Sequence, residues 1–118
     1  MYIYNRNKGS QLAQEVIFAN TFWSRLKGLL GKNALLPGQA LVLIPCRSVH
    51  TCFMRFPIDI VFLDAQGKAI FLQEKLPSWR FTPYLSRAIL AIELPPGTIK
   101  ASNTSLGDRI IITHSPEV

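Results

Sequence analysis

Residues 46–64 read CRSVHTCFMRFPIDIVFLD, and the second half of this stretch says most about the fold. Ile58 to Leu63 is apolar at every position except Asp59, which is typical of a strand buried on both faces. The first half places two cysteines, a histidine and two arginines among apolar residues. Polar groups that a core encloses need partners or a purpose, so this stretch is also the natural place to look for a site.

Short strand patterns continue on both sides of this stretch. Gly and Pro residues separate them, and the DAQG tetrapeptide at 64–67 suits a hairpin loop. The predicted strands are residues 1–5, 13–19, 40–45, 47–54, 58–63, 68–74, 88–94 and 109–113. One short amphipathic helix is predicted near residues 21–30, where apolar residues recur at helical spacing. Many short strands with one helix indicate a mostly β fold, a single-domain β-sandwich or barrel-like structure.

Length and composition fit one folded domain over residues 1–118. Hydrophobic residues make up 48% of the chain and charged residues 17%, which argues against a disordered chain. No apolar run reaches the roughly 20 residues that a membrane-spanning helix needs, and the start lacks a secretory signal pattern. We therefore expect a cytoplasmic protein without a membrane span, present as a monomer or weak dimer.

The two cysteines are predicted to be thiols. If the chain between Cys46 and Cys52 is extended, their Cα atoms lie about 20 Å apart, and a disulfide needs less than about 7 Å.

The net charge of +6 is concentrated in the first half of the chain. Residues 1–58 hold seven basic residues and one acidic residue, whereas the second half is balanced. With Phe53, Arg55 and Phe56 as an aromatic and basic patch, this half predicts weak binding to nucleic acid or to an anionic surface as one possible function. Because the charges occur singly or in pairs, an ordinary solvated surface is the competing interpretation.

Two acidic residues interrupt apolar strands. Asp59 and Glu93 each need a cation or several hydrogen-bond donors if they are buried and ionised. For Asp59 the candidate cations are Arg25, Arg55 and Arg80. Such a pair can hold the register of the strand, or it can tune an acid for catalysis or ligand binding. The two acids either form one polar cluster or belong to separate salt bridges.

His50 and the cysteines suggest two chemistries. If residues 46–54 form one strand, Cys46, His50, Cys52 and Met54 point to one side, which gives soft ligands for zinc or copper(I). Cys46 lies about 13 Å from His50 in an extended strand, so only His50 and Cys52 are candidate metal ligands, and no cofactor is assigned.

The second chemistry is a small hydrolase or metal-dependent enzyme with Cys52 as nucleophile, His50 as base and Asp59 orienting the imidazole. This triad depends on the register of a hairpin between the predicted strands at residues 47–54 and 58–63. A three-residue loop at 55–57 puts Asp59 on the face away from His50, and a four-residue loop reverses this. Whether the chain is an enzyme stays open, and core packing with a hydrogen-bonded histidine is the alternative.

A further feature is the proline-rich loop at 77–83, which holds Trp79 and Arg80. Aromatic and guanidinium groups in loops often contact ligands or partners. Trp79 can equally close the sandwich as a plug.

Several motifs together resemble the domain-of-unknown-function-192 family of small prokaryotic proteins, over about residues 21–113. The matching positions are Arg25, Gly28, Leu29, Leu30 and Gly31; Phe53, Met54 and Arg55; Ile58, Asp59, Ile60, Val61 and Phe62; Glu93, Leu94 and Gly97; and Gly107 and Asp108. The resemblance implies a compact, mostly β domain similar to a jelly-roll sandwich, and it brings no established activity. The family commonly has Met-Lys-Asn-Thr where this chain has residues 54–57, MRFP.

The sequence therefore favours a non-enzymatic accessory module that binds a small ligand or a protein partner. The residues predicted to bind are His50, Met54, Arg55, Asp59, Trp79, Arg80 and Glu93. The alternatives are the small enzyme that uses His50, Cys52 and Asp59, and the weak binding of nucleic acid or an anionic surface.

Overall fold

A computed structural model describes residues 1–19, 35–52 and 54–115 of the chain. In these ranges the elements are β1 (Tyr2–Asn5), β2 (Ser10–Ala13), β3 (Glu15–Ala19), β4 (Gln39–Leu43), β5 (Ile58–Leu63), β6 (Ala69–Leu76), β7 (Leu90–Leu94), α1 (Thr98–Ala101) and β8 (Ile110–Thr113). The helix predicted near residues 21–30 lies outside the described residues. Within them, no helix has the length and apolar character needed to cross a membrane.

The strands form two sheets. Three strands pair antiparallel in the order β2-β1-β8, and five strands pair in the order β3-β4-β7-β5-β6. In the larger sheet β3 and β4 run parallel, and the other neighbours run antiparallel. This arrangement confirms the prediction of a mostly β fold.

Strand β5 lies inside the larger sheet, and all six of its residues are buried. Successive side chains of a strand point to opposite faces. Ile60 and Phe62 accordingly enter one apolar cluster, and Val61 and Leu63 enter another. The apolar run IDIVFL thus correctly predicted a strand that is buried on both faces.

The two clusters cover opposite faces of the larger sheet. The inter-sheet core lies against the small sheet, where Ile3 and Ile110 meet Val61 and Ile92. The loop-covered core lies on the other face, where Val49, Phe56 and the partly buried Leu85 come from loops. We use these two names below.

The strand predicted at residues 47–54 was wrong. Instead, His50 forms an isolated antiparallel bridge with Phe81, and Thr51 N donates to the Arg80 carbonyl at 2.9 Å. The hairpin with residues 58–63 that we considered does not form because both edges of β5 are already paired, one with β6 and the other with β7. This segment therefore pairs with the loop after β6 and becomes part of the cover over the sheet.

Two short elements were not predicted. Strand β2 begins at Ser10, directly after Gly9 with φ +66°, in the interval between the strands predicted at residues 1–5 and 13–19. Helix α1 has four residues, which is too short for helical periodicity to be recognised in the sequence.

Candidate functional site

Asp59 is completely buried and accepts three hydrogen bonds. Lys75 N donates to its Oδ1 at 2.9 Å, and Gly97 N and Ile99 N donate to its Oδ2 at 3.1 and 2.9 Å. All three donors are backbone amides, and two of them lie at the start of α1. Of the two alternatives considered for Asp59, a cation or several hydrogen-bond donors, the structure shows the donors, and the candidate cations Arg55 and Arg80 form no ion pair with it. Arg25 lies outside the described residues. Asp59 joins β5 to the end of β6 and to α1.

Asp59 and Glu93 point to opposite faces of the larger sheet. Asp59 lies opposite Leu94 in the ladder, and Leu94 belongs to the inter-sheet core. Glu93 lies opposite Ile60 and Leu41, which belong to the loop-covered core. Directly opposed residues of neighbouring strands share a face. The single polar cluster of both acids, one of our two hypotheses, is excluded by this register.

The structure does not assemble the predicted catalytic triad. His50 lies in the loops over one face of the sheet, with its ring 6.1 Å from the ring of Phe81. Asp59 faces the inter-sheet core, and its three donors are the amides of other residues. The triad hypothesis for His50, Cys52 and Asp59 was therefore wrong, because β7 and β6 fix Asp59 in a register that turns it away from His50.

Both cysteines are thiols, as predicted. Cys46 Sγ donates to the Ser48 carbonyl at 3.1 Å, and Cys52 is half-buried. Among the residues that the structure describes, no three His, Cys, Asp or Glu side chains come close enough together to hold a metal ion.

The most exposed aromatic residues of the described chain lie together in one loop. Trp79, Phe81 and Tyr84 are 57%, 73% and 66% exposed. Trp79 is therefore not the plug of the sandwich, which was one of the two roles considered for it. We call Trp79, Phe81 and Tyr84, with Arg47 and Arg80, the aromatic surface.

Two buried threonines hold the aromatic surface in place. Thr51 Oγ1 donates to the Pro77 carbonyl at 2.6 Å and accepts from Arg80 N at 2.9 Å. The Thr51 carbonyl accepts from Trp79 N at 3.2 Å, where the backbone has φ +60°. Thr82 Oγ1 accepts from Val49 N at 2.8 Å. A non-glycine residue at positive φ persists only where its surroundings fix it, so this loop has a defined conformation.

The aromatic surface lies in a part of the chain without carboxylates. Residues 40–58 and 75–92 contain no Asp or Glu and five basic residues. Arg47 Nη1 donates to Tyr84 Oη at 3.4 Å, and Arg80 Nη1 donates to the Trp79 carbonyl at 3.4 Å. One guanidinium thus bonds a ring hydroxyl and the other bonds the backbone of Trp79. Sequence analysis found Trp79 and Arg80 but missed Phe81, Tyr84 and the threonines beneath them.

The other predicted binding residues are distributed differently. Arg55 is exposed, whereas Met54 is half-buried and packs against the loop-covered core. Phe56 is buried in that core, which removes it from the proposed aromatic and basic patch. Phe53, the third member of the patch, lies outside the described residues.

A third buried carboxylate, Asp108, was not predicted as a site residue. Its Oδ2 accepts from Asn5 Nδ2, Lys8 Nζ and Ser105 N at 2.8–2.9 Å. Burial raises the pKa of Asp108, but the hydrogen bonds from Asn5, Lys8 and Ser105 and the charge of Lys8 outweigh it. The pKa is therefore held below its usual value of 3.8. This cluster links β1 to the turn before β8.

Known proteins match nearly the whole chain. The model of the DUF192 family, described as Uncharacterized ACR, matches residues 3–112. A UPF0127 protein of Thermococcus sibiricus is 35% identical over 92% of this chain and 72% of its own length. A UPF0127 protein of Pyrococcus furiosus is 34% identical over 90% of this chain and 93% of its own.

A solved structure has the same fold. A protein of unknown function from Novosphingobium aromaticivorans superposes with a TM-score of 0.77, covering 94% of this chain and 82% of that one at 14% identity. The family match over residues 3–112 and the two relatives together confirm the resemblance seen in the motifs. The chain belongs to the DUF192 family of uncharacterised UPF0127 proteins.

Proposed function

We propose that this protein is a non-enzymatic docking module that binds an acidic segment of a partner protein through the aromatic surface. The observation that carries the proposal is the exposure of Trp79, Phe81 and Tyr84 within six residues of one ordered loop. Tyr, Trp and Arg are the residues that most often dominate the binding energy of protein interfaces.

The charge of the surface supports an acidic partner. Arg47 donates to the Tyr84 hydroxyl and Arg80 donates to the Trp79 carbonyl, and the two chain segments that form the surface contain no carboxylate. Complementary charge speeds association and selects partners. A loop that is already fixed by Thr51 and Thr82 loses little conformational entropy on binding, which leaves more of the contact energy for affinity.

A non-enzymatic role is also what the arrangement of acids supports. Backbone amides use both oxygens of Asp59, and Glu93 is buried under the loops. A general acid or base must reach the proton that it transfers. The cytoplasmic location stays a prediction from the sequence.

Peptide selection tests the proposal. A displayed random-peptide library is panned on the wild-type protein, and the recovered peptides are measured against wild type, Trp79→Ala and Tyr84→Ala. We expect peptides rich in Asp and Glu that lose about 30-fold in affinity on either change, which corresponds to about 2 kcal/mol.

Leu106→Ala is the matched control, because Leu106 is an apolar residue of similar exposure, 65%, outside the surface. It should leave the affinity unchanged. Recovered peptides without acidic residues, or peptides that bind the Trp79 and Tyr84 variants as well as wild type, would refute the proposal. Tight binding of oligo-dT by the same residues without peptide binding would assign the surface to single-stranded nucleic acid instead.

A further inference from the structure

Three cationic side chains line one open cleft of about 640 Å³, and no residue of the aromatic surface lines it. Arg6, Lys68 and Arg109 form it together with Asn7 and Gly107. The three cations are exposed, and they come from three separate parts of the chain. They take no part in the proposed docking of a partner protein.

The backbone places these cations in a row. Lys68 and Arg109 form an antiparallel bridge, flanked by the hydrogen bonds from Ala69 N to the Asp108 carbonyl and from Ile110 N to the Gly67 carbonyl, both 2.8 Å. Opposed residues between such bonds have Cα atoms about 4.5 Å apart. On the other side, Arg6 N donates to the Arg109 carbonyl at 2.9 Å and continues the pairing of β1 with β8. Arg109 therefore lies between Arg6 and Lys68.

Among the residues that the structure describes, no carboxylate forms an ion pair with Arg6, Lys68 or Arg109. The ion pair recorded among the described residues joins Lys8 to Asp108, whose Oδ2 also accepts from Asn5 and Ser105. Asp64 accepts the backbone amide of Lys68 through Oδ1. Like charges directly opposite each other on neighbouring strands destabilise a sheet. An anion bound in the cleft would attract all three cations and offset this repulsion.

The spacing indicates what kind of anion fits. Neighbouring strands lie about 4.8 Å apart, so a row across three strands extends over roughly 10 Å. A row of this length suits several linked anionic groups better than one, and guanidinium groups bind phosphate through paired hydrogen bonds. We propose that this cleft binds a small molecule with a diphosphate or triphosphate chain, held by Arg6, Lys68 and Arg109.

Calorimetric titration with inorganic pyrophosphate at low salt tests the proposal. We expect saturable binding to wild type and at least about a tenfold loss of affinity in Arg109→Gln and in Lys68→Gln, because each removes a charged hydrogen-bond donor. Lys68→Gln keeps the test decisive if Arg109→Gln does not fold. Lys100→Gln, which removes an exposed cation outside the cleft, should bind as wild type does.

Three results would overturn the inference. Wild type does not bind pyrophosphate, or Lys100→Gln loses as much affinity as the cleft variants, which indicates attraction by net charge alone. The third result is that oligo-dT binds through the same three residues while pyrophosphate does not, which would identify the ligand as a nucleic acid backbone.

Discussion

Replacing Asp59 by asparagine tests whether this buried acid is structural. Asparagine has a single carbonyl oxygen. If that oxygen accepts from Gly97 N and Ile99 N, the side-chain NH2 group must face Lys75 N, and two donors then oppose each other.

The magnitude follows from these three bonds. Losing a hydrogen bond to a charged group costs about 1.5–3 kcal/mol, and the two remaining bonds lose the assistance of the charge. We expect the free energy of unfolding to fall by about 3 kcal/mol in total, and the melting temperature to fall by roughly 10 °C. Urea and thermal unfolding followed by circular dichroism measure both quantities.

Asp64→Asn is the matched control. Asp64 Oδ1 alone accepts from Gln66 N and Lys68 N, both at 2.9 Å, and an asparagine oxygen can accept the same two bonds. Its cost should stay below about 0.5 kcal/mol. Equal stability losses for the two variants would refute our account of Asp59. So would an Asp59→Asn variant with wild-type stability that no longer binds the selected peptides, because Asp59 would then act in binding.

Three further predictions concern Thr51 beneath the aromatic surface, the buried acid Asp108 and the turn at Gly67. Thr51→Val removes the bonds of Oγ1 to Pro77 and Arg80 and should cost about 1–3 kcal/mol in urea unfolding, with weaker peptide binding; unchanged stability and binding would contradict this. The pKa of Asp108 is lower in the folded state, so its contribution to stability is complete at neutral pH and is lost as the pH falls below about 3.8. The stability difference between wild type and Asp108→Asn should therefore shrink in acid, and a constant difference from pH 7 to pH 2 would exclude this linkage. Gly67→Ala places a Cβ 3.2 Å from the Ile110 carbonyl at φ +77° and should destabilise more than Gly9→Ala, which meets open space at φ +66°; equal melting temperatures would contradict it.

Prediction from sequence succeeded where the pattern was local. The apolar run of β5 and the turns at Gly and Pro depend on neighbouring residues, so they gave the position of β5 and the mostly β class correctly. Prediction from sequence failed for residues 47–54, although their composition suits a strand. Their pairing depends on which strand edges are available, and β6 and β7 occupy both edges of β5.

The candidate sites divide in the same way. Trp79 and Arg80 were recognisable because aromatic and cationic residues in a proline-rich loop are unusual in composition. Arg6, Lys68 and Arg109 gave no signal, because they lie far apart in sequence and meet only through the pairing of β1 with β8 and the bridge to residue 68.

The sequence by itself determined the family, the mostly β fold and the burial of Asp59, since each follows from the order of side chains along a short segment. Only the tertiary structure decided which groups donate to Asp59 and that Glu93 lies on the opposite face of the sheet. Its donors lie 16, 38 and 40 positions away, and the register of β5 against β7 turns Asp59 and Glu93 to opposite faces. A shift of one residue in that register reverses which face each side chain occupies, and packing across the whole sheet fixes it.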